Sequence, residues 1–417
     1  MRLAIDAMGG DDAPLAIVAG AVDYARLRPA VTVICVGMAD AVYQALASCG
    51  PTPSNITVYD APEVIGMGEK ITALREKPGD SMNVCTRLLK EGAADAVVLC
   101  GNTACSVAAA QLHLGRINGV KRAGILTPLP NAMGTSWVID CGANATAKPE
   151  FLAQWAEMGS AFLECYSGTQ RPRIGVLSIG TEEGKGDDLT ARTHELLKAT
   201  DLNVVGLVEG NHIFDGSVDV VVCDGFTGNV LLKSAEGIAA AVGSIIKEGV
   251  AKSFRAKIGA WLMKPAFDHF RNRTHWSKVG GALLAGVNGI VVIGHGRSNA
   301  TAVTNALIQA ERCVDRNLIA TIREHLSRGP AAPGRRASFL DTVKSFFGSG
   351  GEGKVEKPEP SQSVTPPAAS PREATATSEK PASESSFDHR GISSSETQRL
   401  RKSTGTAKGA EAHGHKP

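Results

Sequence analysis

Small and polar residues gather in short loops that directly follow apolar runs of the sequence. The run VDVVVC (218–223) leads into DGFTGN (224–229), where Asp224, Thr227 and Asn229 stand beside two glycines. Glycine allows backbone conformations and close ligand approaches that other residues do not, and the polar side chains supply hydrogen-bond donors and acceptors. This loop is therefore either an ordinary turn between a strand and a helix or part of a binding site.

The same arrangement recurs along the chain. The further loops are AMGGDDAP after 2–6, GNTACS after 95–100, CGANAT after 136–140, GTEEGKGDD after 173–179 and GHGRSN after 289–293. The carboxyl ends of parallel strands share one edge of a sheet, and ligands bind at that edge. We therefore expect these loops to form one site.

The chemistry of the loops favours phosphate. Gly, Ser, Thr and Asn at helix starts present backbone amides and hydroxyls to anions, and Lys185 and His295 would add charge-assisted bonds. The chain has no GxxxxGK[ST] motif, and no GxGxxG follows the first strand, so no nucleotide motif is present. Several acidic residues lie in or beside the loops, but their spacing matches no metal-ligand pattern. We predict neither a metal nor a cofactor.

Apolar, strand-like runs alternate with helical stretches, which predicts an α/β fold with a mainly parallel sheet covered by helices on both faces. The predicted strands are 2–6, 31–36, 95–100, 123–126, 136–140, 173–179, 203–208, 218–223 and 289–293. The order of the strands in the sheet does not follow from the sequence.

The bulk composition excludes several classes. The 417 residues carry 44 Lys and Arg against 42 Asp and Glu, a formal charge of +2 that gives no case for nucleic acid as a partner. The nine cysteines lack CxxC spacing, which indicates reduced thiols in a cytosolic protein. We expect neither a signal segment at the N-terminus nor a stretch long and apolar enough to span a bilayer.

The composition changes near Arg328. We predict a catalytic domain over 1–327, a linker with one short apolar segment over 328–349, and a tail over 350–417. The tail is rich in Ser, Pro, Glu, Lys, Ala and Thr, a composition that cannot bury enough apolar surface to offset its chain entropy. We therefore predict that the tail is disordered.

Taken together, the loops resemble the PlsX family of phosphate acyltransferases. The matching pieces are IDAMGGDDAP (5–14), GNT (101–103), IDCGAN (139–144), GVLSIGTEEGKG (175–186), VDVVVCDGFTGNVLLKSAEG (218–237), GGALLAGVNG (280–289) and GHGRSNA (294–300). They occur in the order expected of the family and cover about residues 1–325.

The resemblance implies a three-layer α/β/α sandwich similar to isocitrate and isopropylmalate dehydrogenases and to phosphotransacetylases. It also implies synthesis of acyl phosphate from long-chain acyl-acyl-carrier-protein and inorganic phosphate, in bacterial phospholipid synthesis. The expected protein is a homodimer in the cytoplasm, peripherally bound to the inner face of the plasma membrane. The membrane glycerol-3-phosphate acyltransferase is an expected partner.

Acyl transfer to phosphate needs a bound phosphate oxygen near the thioester carbonyl and donors for the oxyanion that develops. We predict direct attack, with no enzyme nucleophile. The predicted catalytic residues are His295, Lys185, Asn229 and Asp224, with His295 also a candidate for proton transfer. The predicted phosphate and substrate contacts are Asp6, Gly9, Gly10, Asn102, Thr103, Asn144, Thr181, Thr227, Gly228 and Ser298.

A helical hairpin is predicted over about 238–275. Its apolar residues Trp261, Leu262 and Met263 lie among basic residues that include Lys257 and Lys264. Basic residues around an exposed apolar tip suit an anionic membrane surface or an acidic carrier protein. A dimer interface is the alternative, and both uses are compatible.

Other interpretations stay open from the sequence. Cys100, Cys105, Cys141 or Cys223 could form an acyl-enzyme, and Lys185 could be only a solvated side chain. A phosphotransacetylase acting on acyl-coenzyme A, a nicotinamide dehydrogenase on the same type of sheet, and a membrane scaffold without catalysis are the competing functions.

Overall fold

The computed structural model describes residues 1–274 and 280–328. The predicted tail and the predicted linker beyond Arg328 lie outside these residues. The strands are β1 (Arg2–Asp6), β2 (Thr32–Gly37), β3 (Ile56–Asp60), β4 (Ala96–Leu99), β5 (Gly124–Pro130), β6 (Thr135–Ile139), β7 (Ile174–Leu177), β8 (Val204–Val208), β9 (Val220–Val222), β10 (Ala282–Ala285) and β11 (Ile290–Ile293).

Helices follow most of these strands. They are α1 (Leu15–Leu27), α2 (Ala39–Ser48), α3 (Ala73–Glu76), α4 (Ser81–Lys90), α5 (Thr103–Leu114), α6 (Pro149–Ser167), α7 (Asp188–Lys198), α8 (His212–Asp215), α9 (Gly225–Ala251), α10 (Phe254–Leu262), α11 (Lys264–Thr274), α12 (Ala300–Asp315) and α13 (Leu318–Arg328).

The three-layer α/β/α prediction is confirmed. One sheet has the strand order β3-β2-β1-β4-β11-β10-β5-β6-β9-β7-β8. Alternate strand residues bury into different cores: Leu3 and Ile5 pack with α1, α2, α6, α7, α12 and α13 on one face. Ala4 packs with α3, α4, α5, α8 and the start of α9 on the other face. Such alternation is what a doubly covered sheet requires.

All nine predicted strands are present, with ends that differ by a few residues. Two strands were missed. The first, β3, lies at the edge of the sheet and is only partly buried, so its sequence ITVYD lacks the apolar run of a central strand. The other, β10, is only four residues long and runs antiparallel to both of its neighbours.

The sheet is not parallel throughout, which changes the predicted common edge. The inner strand β5 pairs antiparallel with β10 through residues 124–126 and antiparallel with β6 through residues 127–130. As a result β6, β7, β8 and β9 run opposite to β1, β2, β3, β4 and β11. The six polar loops therefore leave the sheet from two groups of opposed strands.

The register of the strand pairs nevertheless places the carboxyl ends of the two opposed groups side by side near the middle of the sheet. Because Thr127 pairs with Val138, the last residue of β6 lies level with Leu126. Leu126 of β5 pairs with Leu283 of β10, and Leu283 pairs in turn with Val292 of β11. The last residue of β11, Ile293, therefore lies one residue beyond the level of Leu126. The carboxyl ends of β4, β9 and β7 are level, within one residue, with the ends of the parallel strands beside them. The polar loops thus converge at mid-sheet from opposite directions.

The long helix α9 leaves this region and becomes exposed. Its first turns are packed by Gly225, Gly228, Leu231 and Leu232, whereas Ile238, Ile245 and other apolar residues farther along are exposed. It is long and apolar enough to cross a membrane by length and composition, so the expectation that the chain has no such stretch was wrong. The predicted hairpin is therefore longer than expected, because its first helix begins at Gly225.

The last described helix, α13, is held to α6 by a charged contact. His325 Nε2 lies 3.1 Å from Glu164 Oε2, and His325 Nδ1 lies 3.7 Å from Glu157 Oε2. Hydrogen bonds to Glu157 and Glu164 raise the pKa of His325 above its ordinary value of 6.5. The protonated imidazole therefore favours the folded state.

This contact predicts a pH-dependent stability. Since the folded pKa is raised, the stabilisation is complete below pH 6.5 and is lost as pH rises through the folded pKa. We expect His325→Gln to lower the free energy of unfolding by about 1 kcal/mol at about pH 5.5, and by much less at about pH 8.5. Urea unfolding at both pH values measures the difference.

His194 provides a control of opposite sign. Burial, followed by the charge of Lys198, lowers the pKa of His194, so protonation of His194 disfavours the folded state as pH falls. We expect His194→Gln to reduce the loss of stability in acid. A pH-independent effect of His325→Gln would contradict the proposed ion pair.

Candidate active site

The loops after β1, β4 and β11 pack directly against one another. A Cβ atom built on Gly9 would lie 2.5 Å from the backbone nitrogen of Gly101, and one built on Gly10 would lie 2.8 Å from the carbonyl oxygen of Gly296. Asp11 also donates its backbone N–H to that Gly296 oxygen at 2.7 Å. Gly9 and Gly10 are therefore required for packing of the loops, whatever they contact in a substrate complex.

Asp6 ends β1 beneath these loops and is fully buried. Its Oδ1 accepts bonds from Ser81 Oγ at 2.6 Å and from the Met8 backbone N–H at 3.0 Å. Its Oδ2 accepts no hydrogen bond within the described part of the chain. Burial raises the pKa of Asp6 to about 6. The carboxyl thus orders the floor of the site and retains one unsatisfied oxygen.

Asn102 is the N-cap of α5. Its Oδ1 accepts from the Cys105 backbone N–H, and its Nδ2 donates to the carbonyl oxygens of Met67 and Glu69, each at 2.9 Å. The side chain therefore connects the β4 loop to the 66–70 segment. Thr103, the first residue of α5, is exposed, so it remains available to a substrate.

The loop after β6 is organised by Asp140, which was not among the predicted site residues. This buried carboxylate accepts backbone bonds from Ile125, Gly142, Ala143 and Asn144 at 2.7 to 3.2 Å. The side-chain amide nitrogen of Asn144 donates to Asp140 Oδ2 and to the carbonyl oxygen of Ala123. Asn144 thus uses its donors to shape the loop.

The β9 loop leads directly into α9. Asp224 caps this helix: its Oδ1 accepts from the Thr227 backbone N–H at 2.9 Å and its Oδ2 from Thr227 Oγ1 at 2.6 Å. Asn229 is exposed beside Gly142 of the β6 loop, and its side chain makes no hydrogen bond within the described residues. Of these side chains, Asn229 is therefore the one with amide groups available for a substrate.

The two groups of loops meet where His295 of the β11 loop contacts α9. His295 Nε2 lies 3.3 Å from Lys233 Nζ and 3.7 Å from Glu236 Oε2. Glu236 Oε2 is also 3.1 Å from Lys233 Nζ and 3.6 Å from Arg297 Nη2. Burial, followed by the charge of Lys233, lowers the pKa of His295. This cluster places several hydrogen-bond donors at the level of the strand ends.

Other predicted residues lie farther from this cluster or inside the fold. Thr181 and Lys185 are on the exposed loop after β7, and among the described residues neither side chain forms a hydrogen bond or ion pair with the other loops. Ser298 is buried within the β11 loop, and its backbone N–H donates to the carbonyl oxygen of His295. The role predicted for Lys185 therefore stays a prediction that depends on movement of its loop.

The cysteines beside the site are poorly suited to be nucleophiles. Cys100, Cys105, Cys141 and Cys223 are buried. Burial raises the pKa of each thiol, to about 12 for Cys141. Since the thiolate is the reactive form, the structure favours direct attack over an acyl-enzyme. The described residues also contain no group of His, Cys, Asp and Glu suited to hold a metal ion.

Sequence reasoning missed Asp140, Lys233, Glu236 and Arg297. A signal was present for Lys233 and Glu236, because they stand three residues apart in VLLKSAEG and therefore share one face of a helix. Lys233 and Glu236 contact the β11 loop, which lies about 60 residues farther along the chain. Local sequence patterns give no information on contacts between residues so far apart in the sequence.

Comparison with known proteins identifies relatives over most of the chain. The model of the family described as "Fatty acid synthesis protein" matches residues 1–321. The chain is 44% identical over 334 residues to a phosphate acyltransferase from Desulfitobacterium hafniense, which covers 80% of this chain and 99% of the relative. It is 45% identical over 328 residues to a phosphate acyltransferase from Thermus thermophilus, with 78% and 99% covered.

Solved structures share the fold at low sequence identity. A phosphotransacetylase from Streptococcus pyogenes matches with a TM-score of 0.54 and 17% identity, covering 76% of this chain and 94% of the other. A phosphotransacetylase from Staphylococcus aureus matches with a TM-score of 0.50 and 13% identity, covering 75% and 94%. These similarities support the α/β/α fold.

The packing of α9 against the β6 loop predicts a position-specific effect of an added methyl group. A Cβ atom on Gly228 would lie 2.0 Å from the Asp140 carbonyl oxygen, so Gly228→Ala must displace the helix start. We expect this variant to lose about 1–3 kcal/mol of stability, measured by urea unfolding, and most of its activity.

Gly237→Ala is the matched control on the same helix. A Cβ atom on Gly237 would contact nothing within 4 Å, and alanine stabilises a helix interior by about 0.5–1 kcal/mol relative to glycine. Equal effects of the two substitutions would show that the close contact at Gly228 is unimportant.

Proposed function

Because the chain belongs to the phosphate acyltransferase family, we propose that it transfers a long-chain acyl group from acyl-acyl-carrier-protein to inorganic phosphate. The product, an acyl phosphate, would feed acylation of glycerol-3-phosphate in bacterial phospholipid synthesis. The main observation behind the proposal is that the six polar loops converge at the strand ends near the middle of the sheet. Lys233, His295 and Arg297 supply hydrogen-bond donors at the same place.

The reaction requires no cofactor and no protein nucleophile. An oxygen of phosphate forms a bond to the thioester carbon, and the carbonyl oxygen takes up negative charge. The carbon–sulfur bond then breaks, its electron pair leaves on sulfur, and the thiolate of the carrier takes a proton. The protein must therefore hold two anionic reactants together and stabilise the oxyanion.

The available groups match these tasks. The starts of α5, α9 and α12 are near the strand ends, and helix N-termini favour anions. Asn229 and Thr103 have exposed side chains there, and His295 and Lys233 provide donors from opposite groups of loops. Asp224, Thr227 and Asn144 hold the loops in place through their own hydrogen bonds.

The acyl chain needs apolar surface next to these groups. On α9, Phe226 and Val230 expose 65% and 48% of their surface on either side of Asn229 in the sequence. They are one helical turn apart and therefore share a face of the helix. We assign this face to the first carbons of the acyl chain.

The exposed hairpin is proposed to contact both a second copy of the chain and a membrane. The exposed surface on α9 to α11 includes Ile238, Ile245, Phe254, Trp261 and Leu262, and Lys257 and Lys264 are also exposed. Contiguous exposed apolar residues of this kind mark interaction surfaces, and basic residues favour anionic lipid. A cytoplasmic enzyme bound to the inner face of the plasma membrane would use both contacts.

The first experiment combines purified protein, palmitoyl-acyl-carrier-protein and phosphate. We expect release of the carrier thiol together with acyl phosphate, trapped as a hydroxamate with hydroxylamine, and both should require phosphate. Palmitoyl-coenzyme A in place of the carrier substrate tests the phosphotransacetylase alternative. Thiol release without trappable acyl phosphate would contradict the proposed reaction, and absence of release from either donor would favour a scaffold.

Membrane contact is tested at Trp261, a residue that is 73% exposed. We expect Trp261→Glu to weaken sedimentation with phosphatidylglycerol vesicles about tenfold, because burial of a large apolar side chain contributes about 1.5–3 kcal/mol. High salt should also weaken binding of the wild-type protein.

Tyr43→Glu is the matched control, since Tyr43 is an aromatic residue on α2 that is 58% exposed. If Trp261→Glu bound vesicles like the wild type but shifted from dimer to monomer in sedimentation velocity, the hairpin tip would be a subunit contact and not a membrane contact.

A further inference from the structure

The hydrogen bonds of His295 define its neutral tautomer. The backbone N–H of Arg297 donates to His295 Nδ1 at 3.1 Å, so Nδ1 carries a lone pair and no proton. In the neutral ring the proton must then be on Nε2. Because burial and Lys233 lower the pKa of this imidazole, the neutral Nε2–H form is favoured.

Two donors therefore face each other at the junction of the loops. His295 Nε2–H and the ammonium of Lys233 are 3.3 Å apart, and neither group has a lone pair to accept a bond from the other. Two donors this close require an anionic oxygen beside them. Glu236 Oε2 supplies one, at 3.1 Å from Lys233 Nζ and 3.7 Å from His295 Nε2.

We propose that Lys233 is a further catalytic residue, which acts with the Nε2–H of neutral His295 to donate hydrogen bonds to an anionic oxygen of the reacting substrates. Glu236 is the positioning residue that holds Lys233, His295 and Arg297 around one point. This inference rests on the proposed acyl transfer to phosphate.

Acyl transfer to phosphate depends more on hydrogen-bond donors than on a general base. The phosphate dianion already carries a nucleophilic oxygen, so no proton has to be removed before attack. Negative charge then develops on the thioester oxygen, and it is stabilised by donors that are fixed in place beforehand. The oxygen that these donors bind belongs either to phosphate or to the thioester, and kinetics separate the two.

The first test compares Lys233→Met with Lys247→Met, a substitution of the same type at an exposed position on the same helix. We expect Lys233→Met to lower kcat/KM about 10²-fold and Lys247→Met to change it less than about twofold. A loss in kcat assigns the donor to the thioester oxygen, and a rise in KM for phosphate assigns it to phosphate. Activity of Lys233→Met within about threefold of wild type would overturn the inference.

The second test compares two substitutions at His295. A glutamine amide can donate a hydrogen bond from near the Nε2 position but cannot transfer a proton as imidazole does. We expect His295→Gln to stay within about tenfold of wild type, while His295→Ala loses about 10²- to 10³-fold. If both variants lost activity equally, His295 would act in proton transfer, as the sequence first suggested.

The third test reads the arrangement without turnover. In ¹⁵N NMR spectra of the labelled full-length protein, His295 is assigned by the signals lost in His295→Gln. We expect an unprotonated Nδ1 and a protonated Nε2 in the neutral ring. Lys233→Met should raise the pKa of His295, and Glu236→Gln should lower it, because these charges act in opposite directions.

The remaining charged groups near His295 are unchanged in these variants: Arg297 acts in the same direction as Lys233, and Asp11 in the same direction as Glu236. An Nδ1–H tautomer, or a His295 pKa that responds to neither substitution, would overturn the inference. Correct tautomer and shifts in a protein that makes no acyl phosphate would instead show that the proposed function is wrong.

Discussion

The site depends on the two-sided pairing of β5. This strand pairs with β10 through its first residues and with β6 through its last, antiparallel in both cases. The pairing with β6 reverses the direction of β6, β9, β7 and β8. Because the two pairings use different parts of β5, the carboxyl ends of the opposed strands lie side by side near the middle of the sheet. Helices α5 and α12 then begin from one group of strands, and α9 begins from the other. Their N-terminal ends favour anions from both groups, which suits a reaction between two anionic substrates.

Two buried carboxylates keep the loops of this junction in place. Asp6 ends β1 and Asp140 follows β6, so the two residues occupy corresponding positions in the opposed groups. Burial of a carboxylate is unfavourable unless hydrogen bonds compensate. Asp140 receives such bonds from four backbone N–H groups and Asn144, whereas Asp6 keeps an unsatisfied Oδ2. Asp140 therefore fixes the β6 loop through hydrogen bonds to the loop and to β5, whereas Asp6 has one buried oxygen without a hydrogen bond among the described residues.

Much of this organisation follows from local sequence. Apolar runs predicted nine strands, and the residues after them predicted the loops that meet at the site. The direction of β6 to β9 was not predictable, because side-chain alternation is the same in parallel and antiparallel strands. The four residues of β10 gave too short a signal, and β3 is a partly exposed edge strand. Asn102, Asn144 and Asp224 were predicted to be site residues, but only the structure shows that their donors and acceptors are used to hold the loops.

The helix α9 links the chemistry to the exposed surface. At about 1.5 Å per residue its 27 residues span about 40 Å, and Lys233 and Glu236 lie within its first half. The same helix presents Phe226 and Val230 near the loops and Ile238, Val242 and Ile245 farther away. Although α9 has the length and composition of a membrane span, its start is packed tightly, because a Cβ atom on Gly225 or Gly228 would meet Asn144 or Asp140. One helix therefore joins the packed start of the site to an exposed apolar surface.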